Sequence, residues 1–148
     1  MHLHAKSVAA WIALGLLLTG AARAMTVTDF KHLNDDDESG FVAFLVEASA
    51  QMLQSKGQAA QADKVIAYFS QPGKDGGVQQ FSAHLKEVDA INKRNAIKPN
   101  NTTPELQIED AMSLTLRDIG IAVPPKYLES RSKEFKAAGL PRQRAKDD

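Results

Sequence analysis

The chain contains no cysteine. Disulfides, thiol redox chemistry, cysteine nucleophiles and cysteine-ligated zinc are excluded at once, so a folded domain here must be held by packing alone. Histidine is scarce as well. His2 and His4 lie near the start, and neither His32 nor His84 has another histidine three to five residues away. A histidine-rich zinc site is therefore not expected, and no cofactor frame is visible. Nor is there an excess of one charge, with 18 Lys and Arg against 18 Asp and Glu. Proteins that grip nucleic acid through its phosphates carry a basic face, and the small patch of Lys93, Arg94 and Lys98 is too slight for one, so no nucleic-acid partner is expected. A bilayer-spanning run of about 20 apolar residues is also missing. The longest apolar stretch, Val8 to Leu18 broken only by Gly15, is about half that length.

That stretch has a different meaning. His2, His4 and Lys6 precede it, and Ala22-Arg23-Ala24 follows with small residues on both sides of Arg23. This is the three-part layout of a cleavable secretory signal. The expectation is a signal peptide over residues 1–24, cleavage after Ala24, a mature chain beginning at Met25, and a destination in the periplasm or outside the cell. A lipid anchor would need a cysteine at the new N-terminus, and stable membrane insertion after cleavage is not expected. Removing 24 of 148 residues leaves 124, the size of one domain, and losing Lys6 and Arg23 leaves a formal charge of −2. A single helical domain over 25–140 and a disordered charged tail over 141–148 complete the expected organisation.

Within the mature chain the apolar residues recur at spacings of three and four, and no segment alternates with period two. Thr26 to Leu33 can form two short turns with Phe30 and Leu33 on one side. Asn34 is a natural N-cap, Asp35, Asp36 and Asp37 suit the positive end of a helix dipole, and Phe41, Phe44, Leu45, Ala48, Met52 and Leu53 then trace one face, with Gly57 as the stop. A third segment covers Ala59 to Ser70, with Ala62, Val65, Ile66 and Phe69 as its buried stripe and Gln71-Pro72-Gly73 ending it. Val78, Phe81, Leu85, Val88 and Ile91 mark a fourth. For the fifth, Thr103 as N-cap and Pro104 as first helical residue lead into Ile108, Ala111, Met112, Thr115 and Ile119, with Leu106, Leu114 and Leu116 broadening the face and Gly120 closing it. A last helix runs from Lys126 to Ala138, offers Leu128, Phe135 and Ala138 to the core, and stops at Gly139. The fold class expected is all-α: a small bundle of four main helices plus one or two short ones, with the fifth segment central.

Motifs with possible chemistry reduce to simpler roles. Asp35, Asp37, Ser39 and Gly40 match the first, third, fifth and sixth positions of an EF-hand loop, but the twelfth is Val46, with Glu47 one residue late, and helical periodicity runs straight through. An acidic helix start is the better reading, and no metal site is expected. Gly73-Lys74-Asp75-Gly76-Gly77 before a helix resembles an anion cradle without the spacing of a P-loop, and reads as a turn. Glu109 and Asp110 point about 100° apart on a helix and read as solvated surface. His84 and His32 read as boundary residues. Asn100-Asn101-Thr102-Thr103 contains overlapping glycosylation sequons, which matter only in a eukaryotic secretory pathway. No serine or carboxylate sits in a nucleophile elbow or a metal-binding frame, so no catalytic residue is assigned.

Thr28-Asp29-Phe30-Lys31-His32-Leu33-Asn34-Asp35, followed by Phe41-Val42-Ala43-Phe44-Leu45, resembles the opening of the HdeA-like periplasmic helical proteins, in which a short Asp-Phe segment leads into an apolar helix. The wider layout is also similar to the small exported immunity proteins of the Rap1a/Tai type, which neutralise toxic cell-wall hydrolases by binding them. The likeness covers roughly residues 26–46. Both families usually carry a disulfide, whereas here Val27 stands near the first cysteine's place, and no functional residue is carried over.

The expected function is that of an exported, non-enzymatic helical protein acting by protein binding. An HdeA-like stress chaperone that holds unfolded clients is one form. An immunity or inhibitor protein for a secreted cell-wall hydrolase is the alternative, and a helical envelope hydrolase ranks third. The candidate partner-binding loops are Gly73, Lys74, Asp75, Gly76 and Gly77 in one segment and Lys98, Asn100 and Asn101 in another. The broad apolar stripes are compatible with a homodimer.

Overall fold

The computed structural model describes residues 25–138. The signal peptide over 1–24, the stop at Gly139 and the tail over 141–148 lie outside the described residues. Six helices and no strand make up the described chain: α1 (Val27–Lys31), α2 (Asp35–Ser55), α3 (Ala59–Ser70), α4 (Gly77–Ala96), α5 (Ile108–Arg117) and α6 (Pro125–Ala137). The expected all-α bundle is what forms. No helix among the described residues is long and apolar enough to cross a membrane.

Local chemistry sets most of the helix ends. Thr26 and Asp29 cap α1 reciprocally: the Asp29 N–H donates to Thr26 Oγ1 at 3.0 Å and the Thr26 N–H to Asp29 Oδ2 at 3.3 Å. Asn34 Oδ1 accepts from the Asp37 N–H at 2.8 Å and opens α2, whose first turn carries four carboxylates. Since α2 runs unbroken through Asp35–Gly40, those residues stand on helical turns and form no ion-binding loop. Gly57, at φ 73°, lets the Gln58 N–H return to the Leu53 carbonyl at 2.9 Å, and Gly120, at φ 76°, lets Ile121 return to Leu116 at 3.0 Å. Both are Schellman-type stops that only a residue tolerant of positive φ makes cheaply.

One helix start differs from the sequence expectation. Thr103 and Pro104 do not open α5, which begins four residues later at Ile108. The cause is Asn92 on α4. Its side-chain amide donates to the Leu106 carbonyl and accepts from the Leu106 N–H, both at 2.8 Å, and so holds the segment extended by satisfying its backbone groups from outside.

The helices group by contact into two pairs, α2 with α3 and α4 with α5, and α6 packs on both α2 and α5. By contrast, α3 and α4 touch only lightly. Central α5 buries Ile108, Ala111, Met112, Thr115 and Leu116. A chain of aromatic rings ties α1, α2, α4 and α6 together. Phe30 of α1 lies between Phe41 of α2 and Phe81 of α4, with centroids 6.1 and 5.9 Å away, and Phe135 of α6 meets Phe41 at 5.2 Å and Phe44 at 4.9 Å. Such tilted and edge-on pairs are worth about 0.5–1.5 kcal/mol beyond the area they bury. The short lead-in helix therefore works as a wedge between α2 and α4.

Four burial assignments need correction. Ile66 and Val78 are 45% and 50% exposed, because α3 and α4 stay apart where their stripes would meet. Ala138 lies exposed beyond α6. The fourth concerns Glu109, expected at the surface but 1% exposed: α6 and the residues around Met25 cover the face of α5 on which it sits.

Candidate functional site

The light contact between α3 and α4 leaves a groove of about 660 Å³ bounded by α2, the last turn of α3 and the first half of α4. Val42, Val46 and Phe81 form its buried floor, Phe69 and Leu85 its half-buried walls, and Ile66 and Val78 its exposed rim. Glu38, Ser39, Glu47, Ser70, Gln79 and Ser82 supply the polar margin, so the charged residues lining it are both carboxylates. An open apolar trough with a sparse polar edge is the form of a site that accepts apolar side chains.

The groove has little means for hydrolysis. Glu38 and Glu47 stand nine residues apart on one straight helix, about 13 Å along its axis, which is wider than the spacing two carboxyls need to act across one bond. The histidine nearest in sequence, His84, is outside the lining and already engaged at both ring nitrogens: Nε2 lies 2.7 Å from Asp118 Oδ2 and Nδ1 3.3 Å from Glu87 Oε2. It ties α4 to the end of α5. His32 is exposed, with Nδ1 2.7 Å from the Thr28 carbonyl.

The two candidate loops sit at opposite ends of α4, a helix of 20 residues. At about 30 Å apart they cannot form one continuous surface. The first, Gly73–Gly77, closes the groove at one end, between Ser70 and Val78. It is a packed turn. The Gly76 N–H donates to the Gly73 carbonyl at 3.1 Å, Gln80 reaches the Lys74 carbonyl at 2.8 Å, and the Phe69 ring lies so close to Gly77 that a Cβ there would come within 2.8 Å of it. Gly76 and Gly77 are buried, which leaves Gly73, Lys74 and Asp75 as an exposed lip. The second loop carries Lys98, Asn100 and Asn101, all exposed; Asn101 with Thr28, Asp89 and Lys93 borders a smaller polar hollow of about 330 Å³. There Asp89 receives Lys31 at 2.6 Å and Lys93 at 2.9 Å, and hydrogen bonds from both ammonium groups hold its carboxyl below the usual range.

Glu109 is the most unusual titratable group. Burial pushes its carboxyl above the ordinary range; the Ser132 hydroxyl and the N–H groups of Glu109 and Met25 act in the opposite direction, and Asp110 adds to the rise. Neither carboxylate oxygen, nor the Ser132 hydroxyl, has a hydrogen-bond partner of good geometry among the described residues. The sequence holds a signal for this burial: Glu109 shares the stripe of Met112, Ser113 and Leu116, at spacings of three, four and seven.

Comparison with known proteins adds no constraint: no family model, no curated protein and no solved structure matches the chain.

Proposed function

We propose that the chain is an exported, non-enzymatic protein that works in its folded state by receiving an apolar segment of a partner protein in the groove between α2, α3 and α4. The observation that carries this reading is the exposed rim. Ile66 and Val78 leave about half of their surface in water above a floor that is already built and apolar. Covering both at about 25 cal/mol per Å² of apolar surface rewards association without any refolding. Because both charged margins are acidic, the partner segment suited to it presents apolar side chains flanked by Lys or Arg.

A preformed groove favours one defined partner over the holding of many unfolded clients. A client-holding chaperone of the HdeA type would have to loosen in order to expose its surface, whereas this surface is accessible with the bundle intact. The reading is in keeping with the likeness of residues 26–46 to small exported proteins that act by binding.

Envelope extracts passed over the wild-type chain, over Ile66→Lys and over Val78→Lys test it. The expected result is one stoichiometric partner retained by the wild type and lost by both variants, with circular dichroism of the variants unchanged and cross-links from the partner falling on α2 and α4. Retention of the same partner by both variants, or recovery of many proteins in small amounts, sinks the proposal.

A further inference from the structure

A carboxylate removed from water is normally paired, because leaving it without partners costs more than almost any other single arrangement. Glu109 sits in the first turn of α5, where the helix dipole gives some support, yet both of its oxygens lack a partner of good geometry among the described residues. What faces it is instructive. Met25 is 5% exposed, and its carbonyl accepts from the Ile108 N–H at 3.4 Å, which fixes Met25 against the start of α5. The Met25 backbone nitrogen is one of the groups that favour the charged form of Glu109. Beside them opens a cavity of about 560 Å³ whose other charged lining residues are Glu105 and Asp110 from around the start of α5 and Lys126 and Glu129 from α6, an acidic surrounding on balance. Ser132 of α6 adds a hydroxyl with no well-aligned partner among the described residues.

In an uncut chain the Met25 nitrogen is a neutral amide with a single N–H. We propose that Glu109 is the receptor for the α-ammonium of Met25, which is released when the Ala24–Met25 peptide bond is hydrolysed, and that removal of the leader thereby completes the interior of the fold. Hydrolysis by an envelope signal peptidase consumes one water and leaves a carboxylate on Ala24 and an ammonium on Met25. The new terminus brings one positive charge and three donors to a carboxylate that has neither a cation nor a well-aligned hydrogen bond among the described residues. The inference rests on the export reading, specifically on a cut after Ala24.

The sign of the pH dependence separates the two states. In the uncut chain the folded-state carboxyl lies above its unfolded value, so stability is fully present at pH below that unfolded value and is lost as pH rises through the folded one. In the cut chain the ammonium is expected to bring the folded-state value below the unfolded one, so stability is present above the unfolded value and is lost as pH falls through the folded one. An α-amine with an ordinary pKa near 8 is charged throughout the carboxylate range.

The test compares residues 25–148 bearing a free Met25 amine with the same chain retaining Ala24, each with and without Glu109→Gln, by urea unfolding between pH 3 and 7 and by carboxyl carbon NMR of Glu109. The free-amine chain is expected to be the more stable at pH 7, by about tenfold in folding equilibrium for each pH unit separating the two Glu109 midpoints. Glu109→Gln is expected to weaken the free-amine chain and to strengthen, or leave unchanged, the chain with Ala24. Equal stabilities and equal Glu109 midpoints in the two chains overturn the ion pair. Intact mass of the protein recovered from the envelope reads the cut separately: a start at any residue other than Met25 overturns the export reading with this cut, whatever the two purified chains do.

Discussion

Helices α2 and α4 each carry two apolar sides, and the two sides have met different fates. On one, Phe41, Leu45 and Val88 are sealed in the core that Phe30, Phe135 and the buried face of α5 complete. On the other, Val42, Val46, Val78, Phe81 and Leu85 line an open groove. Residue type does not distinguish them, since valine, leucine and phenylalanine occur on both. The difference lies in what arrives to cover each side: α1 and α6 close the first, whereas α3 and α4 diverge over the second. Apolar periodicity thus marks a face for burial without naming its cover.

The comparison breaks if the two sides respond alike to truncation. Phe41→Ala, at a fully buried ring that touches two others, is expected to cost about 3–5 kcal/mol, and Ile66→Ala on the groove rim less than about 1 kcal/mol, both read from urea unfolding midpoints. Similar losses would mean that the groove is filled in solution. Asn92→Ala sharpens the contrast from the polar side. It removes both hydrogen bonds that hold Leu106 and is expected to cost about 1–2 kcal/mol by the same measurement, with hydrogen exchange rising at the Leu106 amide. Smallest in energy is the exposed Lys31–Asp89–Lys93 cluster. The Asp89 carboxyl lies below its ordinary range, so whatever it adds to stability is present above the unfolded value and is lost as pH falls through the folded one. NMR titration of Lys31→Ala is expected to move the Asp89 midpoint upward with little change in unfolding, because surface pairs of this kind contribute little.

How much was legible in the sequence follows the same division. The Asn34 cap, the stops at Gly57 and Gly120, and the limits of α3 are local: each depends on side-chain chemistry within a few residues, and a reader of the chain sees both partners. The late start of α5 is not local. Thr103-Pro104 has the right composition to begin a helix and is overruled by Asn92, a residue on another helix. Nor is the groove, which depends on an angle between helices that no periodicity encodes. Glu109 falls between the two cases. Its place on the apolar stripe was visible, but the reason a carboxylate stands there depends on Met25 and α6, which come together only in three dimensions.

The wedge formed by Phe30 also sets an order of assembly. A polypeptide is synthesised from its amino terminus, so this ring is made before either surface that will receive it. Phe41 follows soon afterwards, but Phe81 comes only once most of two further helices has been made. Until then the seat has a single wall. The first of the described helices thus docks fully only after α4 is made, and a delay in making α4 leaves the greasy Phe30 face waiting for its second wall.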